Sequence, residues 1–378
     1  MVNTMNTTAP SNAHDQAVRL PPEQRHADEL ARLAAADHDA KPPGWKLSPR
    51  AVRSFILGDD KLQVARKFYG DDPLVDRAIV TLMGHQGLML VGEPGTAKSL
   101  LSELLAAAIS GDSGLTVQGT AGTTEDHLKY SWNYALLLAE GPSQRALVPS
   151  PVYQAMESGR IVRFEEVTRC PPEIQDVLIS LMSEKQLMVP ELGRDGGEGA
   201  RLHARRGFNI IATANLRDRG VHEMSSALKR RFNFETVRPI RDPQFEVELV
   251  MKQLERELAG DEAPVVVPRD VVALLVTTFQ ELRAGQTQDG AAIKGLDAVM
   301  STAEAVNVAY AAALQARHFN GGRLTVREIA GQLQGVMLKD GQDDARRVRH
   351  YFDTVVRERG KRDALWKAFH EAARGLWQ

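Results

Sequence analysis

The stretch Leu88-Met-Leu-Val91-Gly92-Glu93-Pro94-Gly95-Thr96-Ala97-Lys98-Ser99 decides the fold. Four apolar residues run unbroken into a Gly/Pro turn, and Ser99 to Ile109 follows with strong helix formers such as Leu100, Leu101, Leu104 and Leu105. Strand, glycine loop and helix in that order open a parallel α/β sheet. The loop also has a chemistry of its own. Only a glycine-rich turn lets backbone wrap a polyphosphate closely enough for several N–H groups to point inward. The turn delivers the anion to a helix N-terminus, where orphan amides and the dipole favour negative charge. Lys98 is placed to bridge the β- and γ-phosphates, and the Ser99 hydroxyl to bind Mg²⁺. Ala97 stands where the strict G-x-x-x-x-G-K-[ST] pattern has its second glycine. Alanine tolerates positive φ poorly, so Ala97 is expected at negative φ, with Gly92 and Gly95 absorbing the special conformations.

Working outward, four more segments carry a buried-strand signature: Leu115 to Gln118, Ile161 to Phe164, Phe208 to Ala214 and Phe232 to Ile240. Helical patterns lie before and between them, at Leu74 to Met83, Glu173 to Glu184 and His222 to Arg230. Such alternation implies a parallel sheet covered on both faces, joined by right-handed crossovers. A Gly-rich hairpin is expected across Leu187 to Arg206, with Gly193, Gly196, Gly197 and Gly199.

Three of these segments end in groups that suit chemistry. Ile161-Val-Arg-Phe164 runs into Glu165 and Glu166, which places two carboxylates at the carboxyl edge of the sheet beside the phosphate loop. The first is suited to the Mg²⁺ shell, the second to orienting and deprotonating an attacking water. Ile210-Ile211-Ala-Thr-Ala214 ends in Asn215, an amide that reaches a water or the γ-phosphate in one reading and is an ordinary turn residue in the other. Ala227-Leu-Lys229-Arg230-Arg231-Phe232 puts cations in the last turn of a helix, where they are favourable with or without a function.

Beyond Asp242 the strand pattern stops. Amphipathic helices are expected over Phe245 to Leu258, Val271 to Leu282, Leu296 to His318, Thr325 to Leu338, Asp343 to Arg357 and Arg362 to Trp377. The fold class is therefore α/β, a P-loop parallel-sheet core with helices on both faces followed by an all-α lid. The expected divisions are 1–47 as a mostly disordered tail, 48–241 as the nucleotide-binding core and 242–378 as helical. The tail is assigned from its scarcity of periodic apolar residues, although Ala27 to Ala36 has the makings of a transient helix.

Composition narrows the partners. A net charge of −2 supplies no global attraction to nucleic acid or to an anionic membrane. The Arg-rich stretch 346–362 is interspersed with acids and suits a solvated helix face. The one cysteine, Cys170, excludes an internal disulfide and fits a reducing cytoplasm; no ligand or base spacing accompanies it. Neither a secretory signal pattern nor an apolar run near the roughly 20 residues of a membrane span is present, so a cytoplasmic location is expected.

With these elements in this order, residues from about 66 to 340 resemble the AAA+ ATPases, and more closely the MoxR family. GEPGTAKS is similar to that family's phosphate loop, in which alanine before the lysine is familiar. The stretch between Gln118 and Pro149 resembles its helix-2 insertion, and the hairpin before Phe208 the insertion preceding sensor 1. The resemblance implies Walker A at Gly92, Glu93, Pro94, Gly95, Thr96, Ala97, Lys98 and Ser99, and Walker B at Glu165 and Glu166. It implies sensor 1 at Asn215 and an arginine finger at Arg231, with Arg230 second. Lys67-Phe68-Tyr69-Gly70 is similar to the motif that lies along adenine, and Arg327 in Leu324-Thr-Val-Arg327 to the sensor 2 arginine. One position departs from the pattern: Glu165 stands where the family usually has Asp, which bears on rate more than on nucleotide binding.

The implied function is ATP hydrolysis with Mg²⁺ in a homo-oligomeric ring, commonly a hexamer, that acts chaperone-like on a protein client, often together with a von Willebrand factor A domain protein. A nucleic-acid-directed motor and a nucleotide-gated scaffold with little turnover are the alternatives.

Overall fold

The computed structural model describes residues 18–193, 201–215, 222–259, 264–296, 300–337 and 342–376. Nine strands occur among them: β1 Gly87–Val91, β2 Thr116–Gln118, β3 Tyr130–Trp132, β4 Leu147–Pro149, β5 Ile161–Glu165, β6 Gln186–Met188, β7 Arg201–His203, β8 Asn209–Ala214 and β9 Phe232–Thr236. Five of them form one sheet in the order β2-β5-β8-β1-β9, all parallel. β1, β5 and β8 are buried at every residue, as strands covered on both faces must be. The expected parallel α/β core is thus the observed one. The other four strands pair antiparallel, β3 with β4 and β6 with β7, as two hairpins carried outside the sheet. Gly196, Gly197 and Gly199 of the second hairpin lie outside the described residues.

The chain divides into two compact units. The first comprises residues up to Val91 and Lys98–Thr236, and it holds the sheet. Its core joins Met89, Phe164, Ile210 and Ala212 on the strands to Val152, Leu178 and Leu181 on the helices Pro151–Ser158 and Pro172–Glu184. The expected helix over 222–230 is confined to Ser226–Lys229, because the Ser225 hydroxyl accepts from the Leu228 amide and starts it there.

Residues 18–47 correct the expectation of a disordered tail, while residues 1–17 lie outside the described residues. Helices Pro22–Arg25 and Ala27–Ala36 form, and Leu33, Trp45 and Leu47 are buried. The segment is held by polar anchors that apolar periodicity does not register. Glu29 pairs with Lys67, Arg32 donates to the carbonyls of Leu62 and Gln63, and Asp37 accepts from the Ser48 amide at 2.7 Å.

The second unit comprises Gly92–Ala97 and Val237–Gln378. Its helices are Pro243–Leu258, Arg269–Ala284, Thr302–Phe319, Val326–Met337, Gln342–Tyr351, Arg357–Gly360 and Ala364–Ala372. Leu254, Phe279, Val308, Ala312, Leu333, Tyr351 and Phe369 are among the residues that fill its core. The helix expected from Leu296 starts instead at Thr302, after a reciprocal cap in which Ser301 and Glu304 satisfy each other's amides. The helix expected over 343–357 is interrupted by a π turn at Phe352–Val356.

Candidate nucleotide site

The loop between β1 and the helix Lys98–Ser110 uses its glycines for space as well as conformation. A side chain on Gly92 would come within 2.3 Å of the Val237 carbonyl oxygen. Gly95 has φ +74°, and a side chain there would collide with Ser301. Thr96 Oγ1 donates to the Glu93 carbonyl at 2.8 Å and closes the turn. Ala97 overturns the expectation made for it: its φ is +67°, not negative. The helix begins at the next residue, so Ala97 must make the left-handed turn that the pattern's second glycine makes freely, at a cost of about 1–2 kcal/mol.

Lys98 and Ser99 open the helix, and Lys98 is buried. Ser102 lies three residues on, hence on the same helix face. That face meets the carboxyl end of β5. Ser99 Oγ donates to Glu165 Oε2 at 2.7 Å, and Ser102 Oγ to Glu165 Oε1 at 2.7 Å. From β8, Thr213 Oγ1 donates to Glu165 Oε2 at 2.7 Å and accepts from the Glu166 amide at 3.0 Å. Arg163 completes the shell, with Nη2 donating to Glu165 Oε1 at 2.7 Å. Burial alone would push the Glu165 carboxyl up; Arg163 and the hydroxyls of Ser102, Ser99 and Thr213 outweigh it and hold the group below the usual carboxylate range.

Glu166 turns away from this cluster. It sits at φ +56°, one residue beyond the strand, and its Oε1 accepts from Asn215 Nδ2 at 2.8 Å. Asn215 follows the last residue of β8, so adjacent parallel strands bring the second acid and the amide together at one edge. Arg169 lies 3.6 Å from Glu166 Oε2.

The remaining assigned residues are elsewhere. The Phe68 ring is buried in the core at 1% exposure, while Tyr69 is half-buried, its hydroxyl donating to the Arg66 carbonyl at 3.2 Å. Arg327 is exposed on the first turn of Val326–Met337 in the second unit. Arg230 and Arg231 immediately precede β9, whose first residue Phe232 pairs with Gly87 at the amino end of β1. At about 3.3 Å per residue, that is roughly 13 Å along the sheet from its carboxyl edge. Arg231 is engaged within its own unit, with Nε donating to Ser183 Oγ at 2.7 Å and Nη1 to the Ala227 carbonyl at 2.6 Å. Arg230 is exposed. Cys170 is buried and its thiol is pushed up by desolvation, which suits a packing role.

Sequence reading passed over Arg163, Ser102 and Thr213. Only Arg163 left a signal, a lone cation inside an otherwise apolar strand.

The donor set can be compared with what Mg²⁺ requires. Among the described residues no group of three or more His, Cys, Asp or Glu side chains is arranged to hold a metal by itself. One hydroxyl and one carboxylate, Ser99 and Glu165, form the sparse set that suits Mg²⁺ when phosphate oxygens and water supply the rest. Among the described residues no helix is long and apolar enough to cross a membrane.

Several known proteins are similar to this chain. Residues 87–232 match the family described as an AAA domain of the dynein-related subfamily, and residues 244–376 match the YehL-like AAA+ ATPase C-terminal domain. The uncharacterised protein YehL of Escherichia coli (strain K12) is 51% identical over 97% of this chain and 99% of its own length. An uncharacterised protein of Staphylococcus aureus (strain USA300) is 27% identical over 39% of this chain and 54% of its own. Among solved structures, NtrX from Brucella abortus in complex with ADP is 14% identical with a TM-score of 0.46, covering 82% of this chain and 65% of that one. A putative ATPase from Cytophaga hutchinsonii is 16% identical with a TM-score of 0.38, covering 82% of this chain and 88% of that one. A dynein-related AAA domain joined to a YehL-like C-terminal domain, matched along almost the whole of a relative, makes this chain a member of the AAA+ ATPases, in the YehL-like branch.

Proposed function

We propose that this protein hydrolyses ATP with Mg²⁺ at the carboxyl edge of its sheet, and that it does so as a MoxR-like ring, a hexamer, acting on a protein client in the cytoplasm. The observation that carries the reading is the pairing of two acids with two kinds of partner. Glu165 meets the Ser99 hydroxyl that opens the loop's helix, and Glu166 meets Asn215.

The roles follow from those contacts. The loop amides from Gly92 to Ala97 and Lys98 bind the phosphates, and of Phe68 and Tyr69 it is the half-buried Tyr69 that keeps ring surface to offer the base. Ser99 and Glu165 would hold Mg²⁺, and the chemistry it would supply there is charge neutralisation on the phosphate oxygens. Asn215 fixes the Glu166 carboxylate, which accepts the proton of the attacking water. Arg327 is the sensor 2 candidate.

For the finger, the contacts favour Arg230 over Arg231. A residue at the amino edge cannot reach its own carboxyl edge, so the arginine serves a neighbouring subunit. Arg231 is already committed to Ser183 and Ala227, whereas Arg230 extends from the surface.

A protein client is favoured by the insertion between β2 and β5. Its helix Tyr134–Glu140 buries none of its residues and presents Tyr134 and Leu138 to solvent, an apolar surface a soluble chain seldom leaves without use. The near-neutral charge argues against a nucleic-acid motor. A von Willebrand factor A domain protein is the partner to test first.

Steady-state phosphate release with Mg·ATP tests the reading. Arg230→Ala should retain nucleotide binding and lose on the order of 10³-fold or more in turnover, with activity partly restored on mixing with Glu166→Gln subunits. Wild-type turnover in Arg230→Ala would return the finger to Arg231. No turnover above the Glu166→Gln level in the wild type would leave a nucleotide-gated scaffold.

A further inference from the structure

Arg163 lies inside β5 with its side chain 7% exposed. Side chains alternate along a strand, so residues 163 and 165 project on one face, toward the helix Lys98–Ser110. Every part of the guanidinium is engaged. Nη2 donates to Glu165 Oε1 at 2.7 Å, Nε to Ser102 Oγ at 2.9 Å, and Nη1 to the Ser113 carbonyl at 3.0 Å. Glu103 Oε1 lies 3.6 Å from Nη1.

Offsetting the buried charge of Glu165 accounts for the presence of a cation, but not for the division of the carboxylate. Arg163 and Ser102 occupy Oε1, while the hydroxyls of Ser99 and Thr213 occupy Oε2. Glutamate has one more rotatable bond than aspartate, so its carboxylate sweeps a larger volume and has more freedom to lose in presenting one oxygen. The guanidinium fork removes that freedom by pinning Oε1, which leaves Oε2 beside the Ser99 hydroxyl. Arg163 stands between Glu165 and Glu103, and Glu103 is itself paired with Arg19 at 2.6 Å, so Glu165 is the closer carboxylate partner of Arg163.

We propose that Arg163 is a positioning residue for Mg²⁺. It holds the longer Glu165 side chain in the arrangement that presents a single oxygen next to Ser99, and so sets how far Mg²⁺ strengthens nucleotide binding. The inference rests on the nucleotide-site reading above, and it acts through Glu165 alone.

The test is calorimetric titration of ADP with excess Mg²⁺ and with EDTA, comparing the gain that Mg²⁺ confers. Partners that orient a metal ligand are typically worth 10–100-fold in metal affinity. Arg163→Met should therefore lose about 10-fold or more of the gain while its EDTA affinity stays within about 2-fold of wild type. Adding Glu165→Asp to Arg163→Met should restore most of the gain, because the shorter acid has less freedom to lose. A purely structural arginine predicts no such rescue.

An unchanged gain in Arg163→Met, or no rescue by Glu165→Asp in a chain with wild-type thermal unfolding, overturns the proposal. If Arg163→Met does not fold, Arg163→Lys carries the test. It keeps the buried charge but cannot hold Glu165 and Ser102 together, so a loss of several-fold is expected and an unchanged gain is again fatal. A wild-type chain whose ADP affinity is indifferent to Mg²⁺ overturns the nucleotide reading itself; a normal wild-type gain with an insensitive Arg163→Met overturns this inference alone.

Discussion

Glu165 in the sheet unit and Glu281 in the helical unit are both buried carboxylates facing an arginine, yet their partners differ in kind. Glu281 accepts from the Tyr351 hydroxyl at 2.6 Å, from both arms of Arg359 at 3.0 and 2.6 Å, and from the Gln288 amide at 2.8 Å. Arg359 in turn lies 4.7 Å from the Trp366 ring centroid. Tyr351 and Arg359 are distant in sequence, and through them Glu281 ties the helix Arg269–Ala284 to the last third of the unit. Burial, together with the Glu281 charge, pushes the Tyr351 hydroxyl well above its ordinary range, so it stays a donor at any physiological pH.

Glu165 is met instead by three hydroxyls besides its arginine. Ser102 Oγ accepts in turn from Arg163 and Thr213 Oγ1 from the Glu166 amide, so Ser99, at the opening of the helix, is the hydroxyl suited to offer a lone pair to a cation beside Glu165. The same buried acid is a brace in one unit and fits a ligand set in the other, and what surrounds it makes the difference.

The comparison is broken most sharply on the chemical side. Glu166→Gln keeps an oxygen to accept from Asn215 and removes the carboxylate proposed to accept the proton. Turnover should fall about 10²- to 10⁴-fold with thermal unfolding unchanged, as phosphate release beside calorimetry will report. A matching loss of stability would make Glu166 a brace like Glu281.

On the structural side, Glu281→Ala strands Arg359 and Tyr351 without their partner in the interior. A loss of about 3–5 kcal/mol is expected, measured by chemical denaturation and localised to the helical unit by hydrogen exchange. A change under about 1 kcal/mol would mean the cluster is no brace.

A smaller effect sharpens the contrast through pH. Desolvation would raise the Glu328 carboxyl, but the hydroxyl and amide of Thr325 and the Asn320 amide outweigh it and hold the group below its ordinary 4.5. A lowered folded-state value adds stability that is complete above the unfolded value and is lost as pH falls through the folded one. Acid denaturation of the helical unit should therefore be less steep in Glu328→Gln below about pH 4.5. An identical acid limb would remove Glu328 from the account.

The smallest effect concerns the loop. Ala97→Gly relieves a left-handed alanine but loosens the unfolded chain, for a net stabilisation of up to about 1 kcal/mol. Destabilisation of that size would mean that φ +67° carries no strain.

The legible parts of the molecule were those written in contiguous residues. β1, the loop and its helix follow one another, so strand, turn and helix are read together, and the central strands β1, β5 and β8 are largely apolar and buried throughout. What escaped was assembled from separated segments. Arg163 finds its partners at positions 99, 102, 103, 113 and 165; strand alternation links it to Glu165, but no spacing rule links β5 to the positions on the helix and the loop beyond it. Residues 18–47 dock through Glu29, Arg32 and Asp37 with few residues buried, Pro22, Leu33, Trp45 and Leu47, so apolar periodicity undervalued them. Ala97 misled because the residue type argues against the conformation that the helix start imposes. Arg230 and Arg231 are adjacent letters, and only side-chain contacts tell the committed guanidinium from the exposed one.

The central claim is that hydroxyls and acids at the carboxyl edge of the sheet form a site for Mg·ATP. Titrating Mg·ATP into the hydrolysis-impaired Glu166→Gln protein in a calorimeter meets it most directly. Saturable heat that disappears when Lys98→Ala is added is the result this account expects. No heat, or heat indifferent to Lys98, would contradict it.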